Sequence, residues 1–495
     1  MFREILYNDF IMQLASTIGL EIHVELKTKT KMFCGCLNDS NEKHPNINVC
    51  PICMGHPGTL PVINKEAVKS VLKMGMALGG KIASRSQFDR KNYFYPDLPK
   101  GYQISQYKYP LVEGGELNGI RIRRIHLEED TGRLLHQGEE SLVDFNRAGV
   151  PLMEIVTEPD ISSGESARDF AEELQLILRY LDISSGDMEK GAMRCEVNIS
   201  LNMGIKVEIK NLNSFRAVEK SINYEIERQT GILEKGDKVG HETRGWDEDG
   251  GKTFSQRKKE EAHDYRYFPE PDLPALNLAM LDLGGFAIPE LPSQKRERFK
   301  KEFNLKDEQI EILVRDKQLS DFFENAVSEF KEAGLPLGSP ASKSVELIFN
   351  YLTSDLIGLM NSKYLGWDEL RVSPHAFGEL MAMISKKEIS SRAAKNVLKK
   401  MIETGREPNV IVKEEGLEQT SDESFIETAA QKIISLNHNA VSDYKKGKEE
   451  ALQFLIGRVM RETKGKTNPA ALKEILKKNI YPVRSSAERQ DFKNG

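Results

Sequence analysis

The sequence predicts an α+β fold: a mixed-sheet N-terminal domain, then an all-α domain, then a small helical tail. Three observations carry that expectation. Residues 19–26, Gly-Leu-Glu-Ile-His-Val-Glu-Leu, alternate apolar and polar side chains with the period of a half-buried strand. Strand-like and helix-like segments then interleave as far as residue 292 without a regular βαβ rhythm. After Pro289–Pro292 the strand signals stop and capped amphipathic helices follow. With 495 residues the chain is too long for one compact core, so several domains are expected. The divisions read as an N-terminal extension at 1–15, an α+β domain at 16–292, a helical domain at 293–411 and a helical tail at 412–495.

The totals narrow the class. A composition of 39% hydrophobic and 29% charged residues argues against wholesale disorder. No apolar run approaches the ~20 residues that span a bilayer, so no membrane partner is expected. Arg3, Glu4 and Asp9 interrupt what would be the apolar region of a signal peptide, and the expected compartment is the cytoplasm. Met12 is an alternative start, leaving residues 1–11 as a loose extension. Net charge is −6, yet residues 441–495 hold 13 Lys and Arg against 7 Asp and Glu. A basic tail on an acidic body points to a polyanion, although taken alone a solvated Lys-rich helical surface is the simpler account of the tail.

In the first strand Leu20, Ile22, Val24 and Leu26 share one face, while Glu21, His23 and Glu25 share the other. Two carboxylates flanking an imidazole suit a hard cation or acid–base chemistry; an exposed face of ordinary solvated charges is the bland alternative. Cys34-Gly-Cys36 and Cys50-Pro-Ile-Cys53, separated by thirteen residues, have the spacing of a structural tetrathiolate Zn2+ site. Disulfides are disfavoured in a reducing compartment, and buried free thiols leave the pairing unexplained.

Residues 64–80 read as an amphipathic helix with an Asn64 cap and a Gly79-Gly80 stop. Residues 88–106, with Pro96, Pro99 and Gly101 among aromatics, amides and charges, read as a loop suited to binding or to packing on a neighbour. Residues 121–132 run from a basic strand into the adjacent carboxylates Glu128, Glu129 and Asp130, which repel unless solvated, protonated or shared by a cation. Glu154 stands inside the apolar strand 150–160 and needs a metal or a lysine as partner. A capped helix follows at 163–182, then alternating strands at 193–200 and 206–215. The second strand feeds a helix capped by Asn213 or Ser214 and ending at Thr230-Gly231. Cys195 reads as a buried thiol. No Rossmann fingerprint, Walker sequence or serine-rich amidase segment is present. In the second half, helices are expected at 293–316, 320–333, 342–360, 373–385, 390–405, 421–436, 442–464 and 468–478.

Several long motifs occur in order: G-L-E-I-H-V-E-L from 19, F-D-R-K-N-Y-F-Y-P-D-L-P-K-G-Y-Q-I-S-Q from 88, and H-L-E-E-D-T-G from 126. F-N-R-A-G-V-P-L-M-E-I-V-T-E-P-D from 145, M-R-C-E-V-N-I-S from 193, K-N-L-N-S-F from 210 and D-Y-R-Y-F-P-E-P-D-L-P from 264 complete the series. Across residues 16–480 the chain resembles the B subunits of the aspartyl/glutamyl-tRNA amidotransferases, the GatB/GatE family. The resemblance implies a cradle-like catalytic domain that uses ATP and Mg2+ to phosphorylate the side-chain carboxylate of Glu or Asp misacylated on tRNA(Gln) or tRNA(Asn). Ammonia from a partner amidase subunit then displaces the phosphate, and a small third subunit wraps the pair. The misacylated Glu-tRNA(Gln) or Asp-tRNA(Asn), and the non-discriminating aminoacyl-tRNA synthetase that charges it, are the further partners implied.

Carried onto this sequence, the resemblance implies His23, Glu129 and Glu154 as Mg2+ ligands, with Glu21 beside them and Glu128 as the alternative to Glu129. Lys91 is implied against a phosphate, with Arg194 and Asn211 at the nucleotide and Glu196 near the substrate or the ammonia exit. A histidine on Mg2+ is unusual because imidazole is softer than oxygen. The family's helical region grips tRNA, which makes Lys464, Lys466, Lys473, Lys477 and Lys478 candidate phosphate contacts. Two rivals stand beside this reading. A stand-alone ATP-dependent amide ligase would need no basic tail; a non-enzymatic, zinc-stabilised RNA-binding protein would tolerate loss of Glu154 and His23.

Overall fold

The computed structural model describes residues 14–258, 265–280, 286–332, 341–418, 423–463, 467 and 469–481. The expected extension at 1–11, and Lys464 and Lys466, lie outside the described residues. The chain divides into two compact units between Gln294 and Lys295. Among the described residues no helix is long and apolar enough to cross a membrane.

The first unit is built on a ten-stranded sheet. Its main strands are β1 (Ser16–Glu25), β4 (Ile120–Glu129), β5 (Pro151–Thr157), β6 (Met193–Leu201), β7 (Val207–Leu212), β8 (Glu242–Asp247) and β9 (Lys252–Lys258); β2 (Asp89–Asn92) and β3 (Tyr102–Ser105) form a hairpin beside it. The path runs β9-β8-β7-β6-β1-β5-β4 and ends on short strands at Val112–Glu113 and Lys81–Ile82. Only β7 and β8 among these main strands run parallel, so the sheet is mixed, as the irregular order of elements predicts.

The alternation of β1 sorts its faces. Ile18, Leu20, Ile22 and Val24 are all at most 1% exposed. They join a core with the apolar stripes of α1 (Lys65–Ala77), α2 (Gly164–Tyr180) and α3 (Phe215–Glu234). Each such residue contributes about 1.5–3 kcal/mol by burial, so a one-residue slip of β1 is strongly disfavoured. Helix starts follow side-chain capping: Asn64 accepts from the Glu66 amide at 2.9 Å and Ser163 from Ser166 at 3.1 Å. Of the two caps open for α3 it is Ser214 that accepts, from Ala217 at 3.0 Å.

Two expectations change in the first unit. Helix α3 continues past Gly231 to Glu234, because Ile232 and Leu233 pack on the core and outweigh the roughly 1 kcal/mol that glycine costs. Residues 88–106 are not wholly a loop: β2 pairs antiparallel with β3, Lys91 opposite Gln103, leaving a shorter connection at 93–101. The second unit is helical. The helix expected at 293–316 breaks at Asn304, which turns left-handed (φ 51°) between Pro292–Phe303 and Asp307–Val314. Gly447 (φ 92°) divides the helix expected at 442–464 in the same way, giving His438–Lys445 and Glu449–Glu462. With Glu423–Leu436 and Pro469–Ile480, the latter helix encloses an apolar cluster of Ile426, Ala430, Leu452, Leu455, Val459 and Leu476.

Candidate active site

The face of β1 opposite the helices carries the candidate chemistry, and register decides what meets there. His23 lies opposite Glu154 on β5 and Arg194 on β6, while Glu154 lies opposite His126 on β4. A continuous row Arg194–His23–Glu154–His126 therefore crosses four strands, with Glu21 and Glu196 paired in the next row. His23 Nε2 is 3.4 Å from Glu154, 3.6 Å from Glu128 and 3.8 Å from Glu21. His126 Nε2 lies 3.3 Å from Glu154 and an Arg124 guanidinium nitrogen 3.7 Å from it. These groups line a cavity of about 790 Å³.

Opposing effects set the protonation. Burial alone would push His23 down, but the hydrogen bond and charge of Glu154, helped by Glu128 and Glu21, raise it to about 9. Burial would raise Glu154; the charge of His126 and hydrogen bonds from both imidazoles hold it well below the usual carboxylate range. Glu21 is pushed up, by burial first and by Glu154 next. Lys91 is kept charged despite its burial by Glu128, the nearby tyrosines and Glu154, and its ammonium lies 5.2 Å from the Tyr265 ring centroid. Arg194 donates to Asp130 at 2.7 Å, and Lys210 reaches Glu196 at 2.9 Å.

The chain thus brings Glu21, His23, Lys91, Glu154, Glu196 and Arg194 to one cavity. Two expected residues lie elsewhere. Glu129 faces the opposite side of β4, where it takes the Lys100 ammonium and accepts from the Ile104 amide at 2.9 Å; its neighbour Glu128 faces the cavity and accepts from Ser105 at 3.1 Å. The two-residue pleat forces this split, so of the two adjacent carboxylates it is Glu128 that lines the cavity. Asn211 is exposed in a left-handed conformation (φ 62°) where the β6–β7 register shifts, and that irregularity turns it out while Lys210 turns in. His126, Arg124 and Lys210 also line the site without having been singled out from the sequence. The alternation Arg124-x-His126-x-Glu128 held that signal.

The Sγ atoms of Cys34, Cys36, Cys50 and Cys53 all lie within 4.8 Å of one another. Thiolates around a tetrahedral Zn2+ at about 2.3 Å stand roughly 3.8 Å apart, so this donor set fits the ion with little movement. Cys53 is pulled down to about 5, first by a hydrogen bond from Cys34, with Lys31 adding its charge. In the second unit Lys473, Lys477 and Lys478 stand on the Pro469–Ile480 helix.

The GatB/GatE catalytic domain model matches residues 16–281, and the GatB domain model matches residues 339–480. The chain is 46% identical over 489 residues to the B subunit of the aspartyl/glutamyl-tRNA(Asn/Gln) amidotransferase of Thermotoga petrophila, covering 94% of this chain and 99% of that one. A protein of the same name from Thermosipho melanesiensis is 47% identical over 485 residues, covering 94% and 99%. Another from Persephonella marina is 46% identical over 481 residues, with the same coverage.

Proposed function

Because the chain belongs to the GatB/GatE family, we propose that it is the subunit of a tRNA-dependent amidotransferase that activates Glu or Asp misacylated on tRNA(Gln) or tRNA(Asn) and converts it to the amide. The convergence of Glu21, His23, Glu128 and Glu154 with Lys91 in one cavity supports this reading most. A carboxylate is a poor acyl donor, because oxide would have to leave. In the proposed sequence a side-chain carboxylate oxygen attacks the γ-phosphorus of ATP, and the bond to ADP breaks. Ammonia then attacks the acyl carbon, the bond to phosphate breaks, and the nitrogen loses a proton.

Phosphoryl transfer asks the protein mainly for positioning and charge neutralisation. Mg2+, when bound, supplies part of that neutralisation. Glu154, Glu128, Glu21 and His23 are the residues that would hold it. Lys91 faces the transferring phosphoryl group, with Arg124 at the margin. Arg194, oriented by Asp130, serves the nucleotide phosphates. Glu196, tethered to Lys210, stands near the substrate or incoming ammonia. Zn2+ in the four-cysteine cluster has a structural role, since four thiolates leave no open position. An amidase subunit supplies the ammonia, a small wrapping subunit completes the assembly, and the basic tail helices contact the tRNA backbone.

The deciding assay presents the complex purified with its amidase partner with each misacylated tRNA in turn and scores ATP-dependent amide product. Product with at least one tRNA, lost in Glu154→Gln while glutamine hydrolysis persists, supports the reading. Amide formation on a free acid without tRNA would favour a stand-alone ligase.

A further inference from the structure

Four tyrosines, Tyr93, Tyr107, Tyr265 and Tyr267, line the cavity beside its charged groups. The chemistry proposed above gives Tyr107, the most exposed of them, no part. Its ring lies flat on Tyr267, with centroids 4.5 Å apart and planes 14° from parallel, and Tyr265 meets Tyr267 edge-on at 6.2 Å. Tyr107 is still 57% exposed, and among the described residues no second ring stacks on it. Just outside the cavity, cations and a further ring continue the series. The Lys108 ammonium lies 5.3 Å from the Tyr109 ring centroid and the Arg85 guanidinium carbon 5.8 Å from it, and all three residues are exposed.

The backbone that presents these side chains is held from beneath by buried polar groups. The Asp89 carboxylate, at the start of β2, accepts from the amides of Tyr107 and Lys108 at 3.1 and 3.3 Å. The Tyr109 carbonyl accepts from the Ser86 hydroxyl at 2.8 Å and from the Gln87 amide at 3.2 Å. Gln106 donates to Ser86 at 2.6 Å and accepts from the Leu127 amide on β4 at 3.0 Å, which ties the turn to the strand that carries His126 and Glu128. Asp89, Ser86 and Gln106 are at most 5% exposed. Exposed rings on a backbone so fixed lose little freedom when a ligand covers them, which favours binding.

We propose that Tyr107, Lys108, Tyr109 and Arg85 form a track for the unpaired 3′ end of the tRNA, with a terminal base stacked on the open face of Tyr107 and the cations on the phosphates. In the proposed reaction the carboxylate that is activated hangs by one amino-acid side chain from the terminal ribose. The last unpaired bases must therefore lie against the rim of the cavity, where Tyr107 stands. Lysine is depleted in protein–protein interfaces, whereas aromatic rings interleaved with cations are the usual bed of single-stranded nucleic acid. The identity of the occupant rests on the tRNA-dependent activity proposed above; binding that depends on the unpaired end is measured without it.

The test measures the affinity of the purified complex for uncharged tRNA with its unpaired 3′ end intact and with that end trimmed away. Tyr107→Ala should weaken binding of the intact tRNA by roughly 10-fold and leave the trimmed tRNA unaffected. Tyr107→Trp, which keeps a stacking face, should retain the wild-type affinity for both. Lys108→Gln, a change at an exposed side chain, should reduce the log–log salt slope by up to about 0.7 on the intact tRNA alone. Circular dichroism keeps the comparison to folded protein. Equal losses on intact and trimmed tRNA, or a raised KM for ATP with tRNA affinity unchanged, overturn the proposal. Loss of the amidase subunit during purification of the variants also overturns it, by making the patch a protein interface. If every variant binds both tRNAs as the wild type does while amidation proceeds, the track falls and the function stands. End-dependent binding that Tyr107→Ala abolishes, in a complex inactive on every misacylated tRNA, would uphold the track and remove the function.

Discussion

Lys100 and Glu129 form an ion pair sealed behind β4, with side chains 8% and 4% exposed, on the side of the strand away from Glu128. Gln103 donates to the Glu129 carbonyl and Ile104 to its carboxylate, so one buried acid anchors the β2–β3 hairpin to the strand that carries Glu128 and His126. Adjacent carboxylates thus have separate duties. Glu129→Gln strands a buried ammonium, which should cost about 3–5 kcal/mol and show as a lowered midpoint in thermal unfolding. Glu128→Gln should leave the midpoint within a few degrees while lowering kcat for amidation by roughly 100-fold or more. A stable, fully active Glu128→Gln protein would contradict the assignment of the cavity face.

Lys91 is half-buried among acids and tyrosines, yet its charge is maintained. Replacing it with methionine keeps the length of the stem and removes the charge. ATP-dependent phosphorylation should fall by roughly 100- to 1000-fold, with tRNA affinity unchanged. Separate measurement of kcat, KM for ATP and the Kd for tRNA distinguishes this from a general loss of binding.

The cysteines differ in chemistry, and alkylation can read the difference. Cys195 is 2% exposed, and burial pushes its thiol up, so iodoacetamide should not label it in the folded chain. Native, zinc-loaded protein should therefore resist labelling altogether. Chelation should release Cys34, Cys36, Cys50 and Cys53 to the reagent, and denaturant should add Cys195, the last of five. Metal removal should also lower the unfolding midpoint, because binding free energy of about 10–16 kcal/mol is coupled to folding at such sites. Elemental analysis without zinc in native protein would remove the premise.

The tail helices predict a salt signature. Lys473, Lys477 and Lys478 replaced together by glutamine should weaken tRNA binding and reduce the log–log salt slope by up to about 0.9 for each phosphate no longer neutralised. Deleting 412–495 should flatten the slope further while glutamine hydrolysis in the assembled complex survives. Fluorescence titration across salt concentrations provides the comparison, and unchanged affinity after the deletion would count against a tRNA-binding tail.

Much of the fold was legible because its signals are local. Alternation identified β1 and its two faces, and side-chain caps located the starts of α1 and α2. The four cysteines were legible because two tight pairs constrain one another over a short loop. Glu128 and Glu129 were harder to separate, since adjacent carboxylates look alike until the pleat assigns them to faces. The irregularity between β6 and β7 likewise exchanged Asn211 for Lys210 at the site. His126 passed unassigned because its importance comes from a partner 28 positions along the chain, Glu154.

The sequence by itself determined which residues alternate, where helices start and stop, and which family the long motifs resemble, because each of these depends on neighbours within a few positions. Only the tertiary structure decided that His23 and His126 converge on Glu154 and that Glu129 serves Lys100 behind the strand. The reason is that strand pairing joins residues far apart in the chain. A shift of one position there turns every side chain to the other face, and the burial of the whole sheet, rather than any local preference, selects the register.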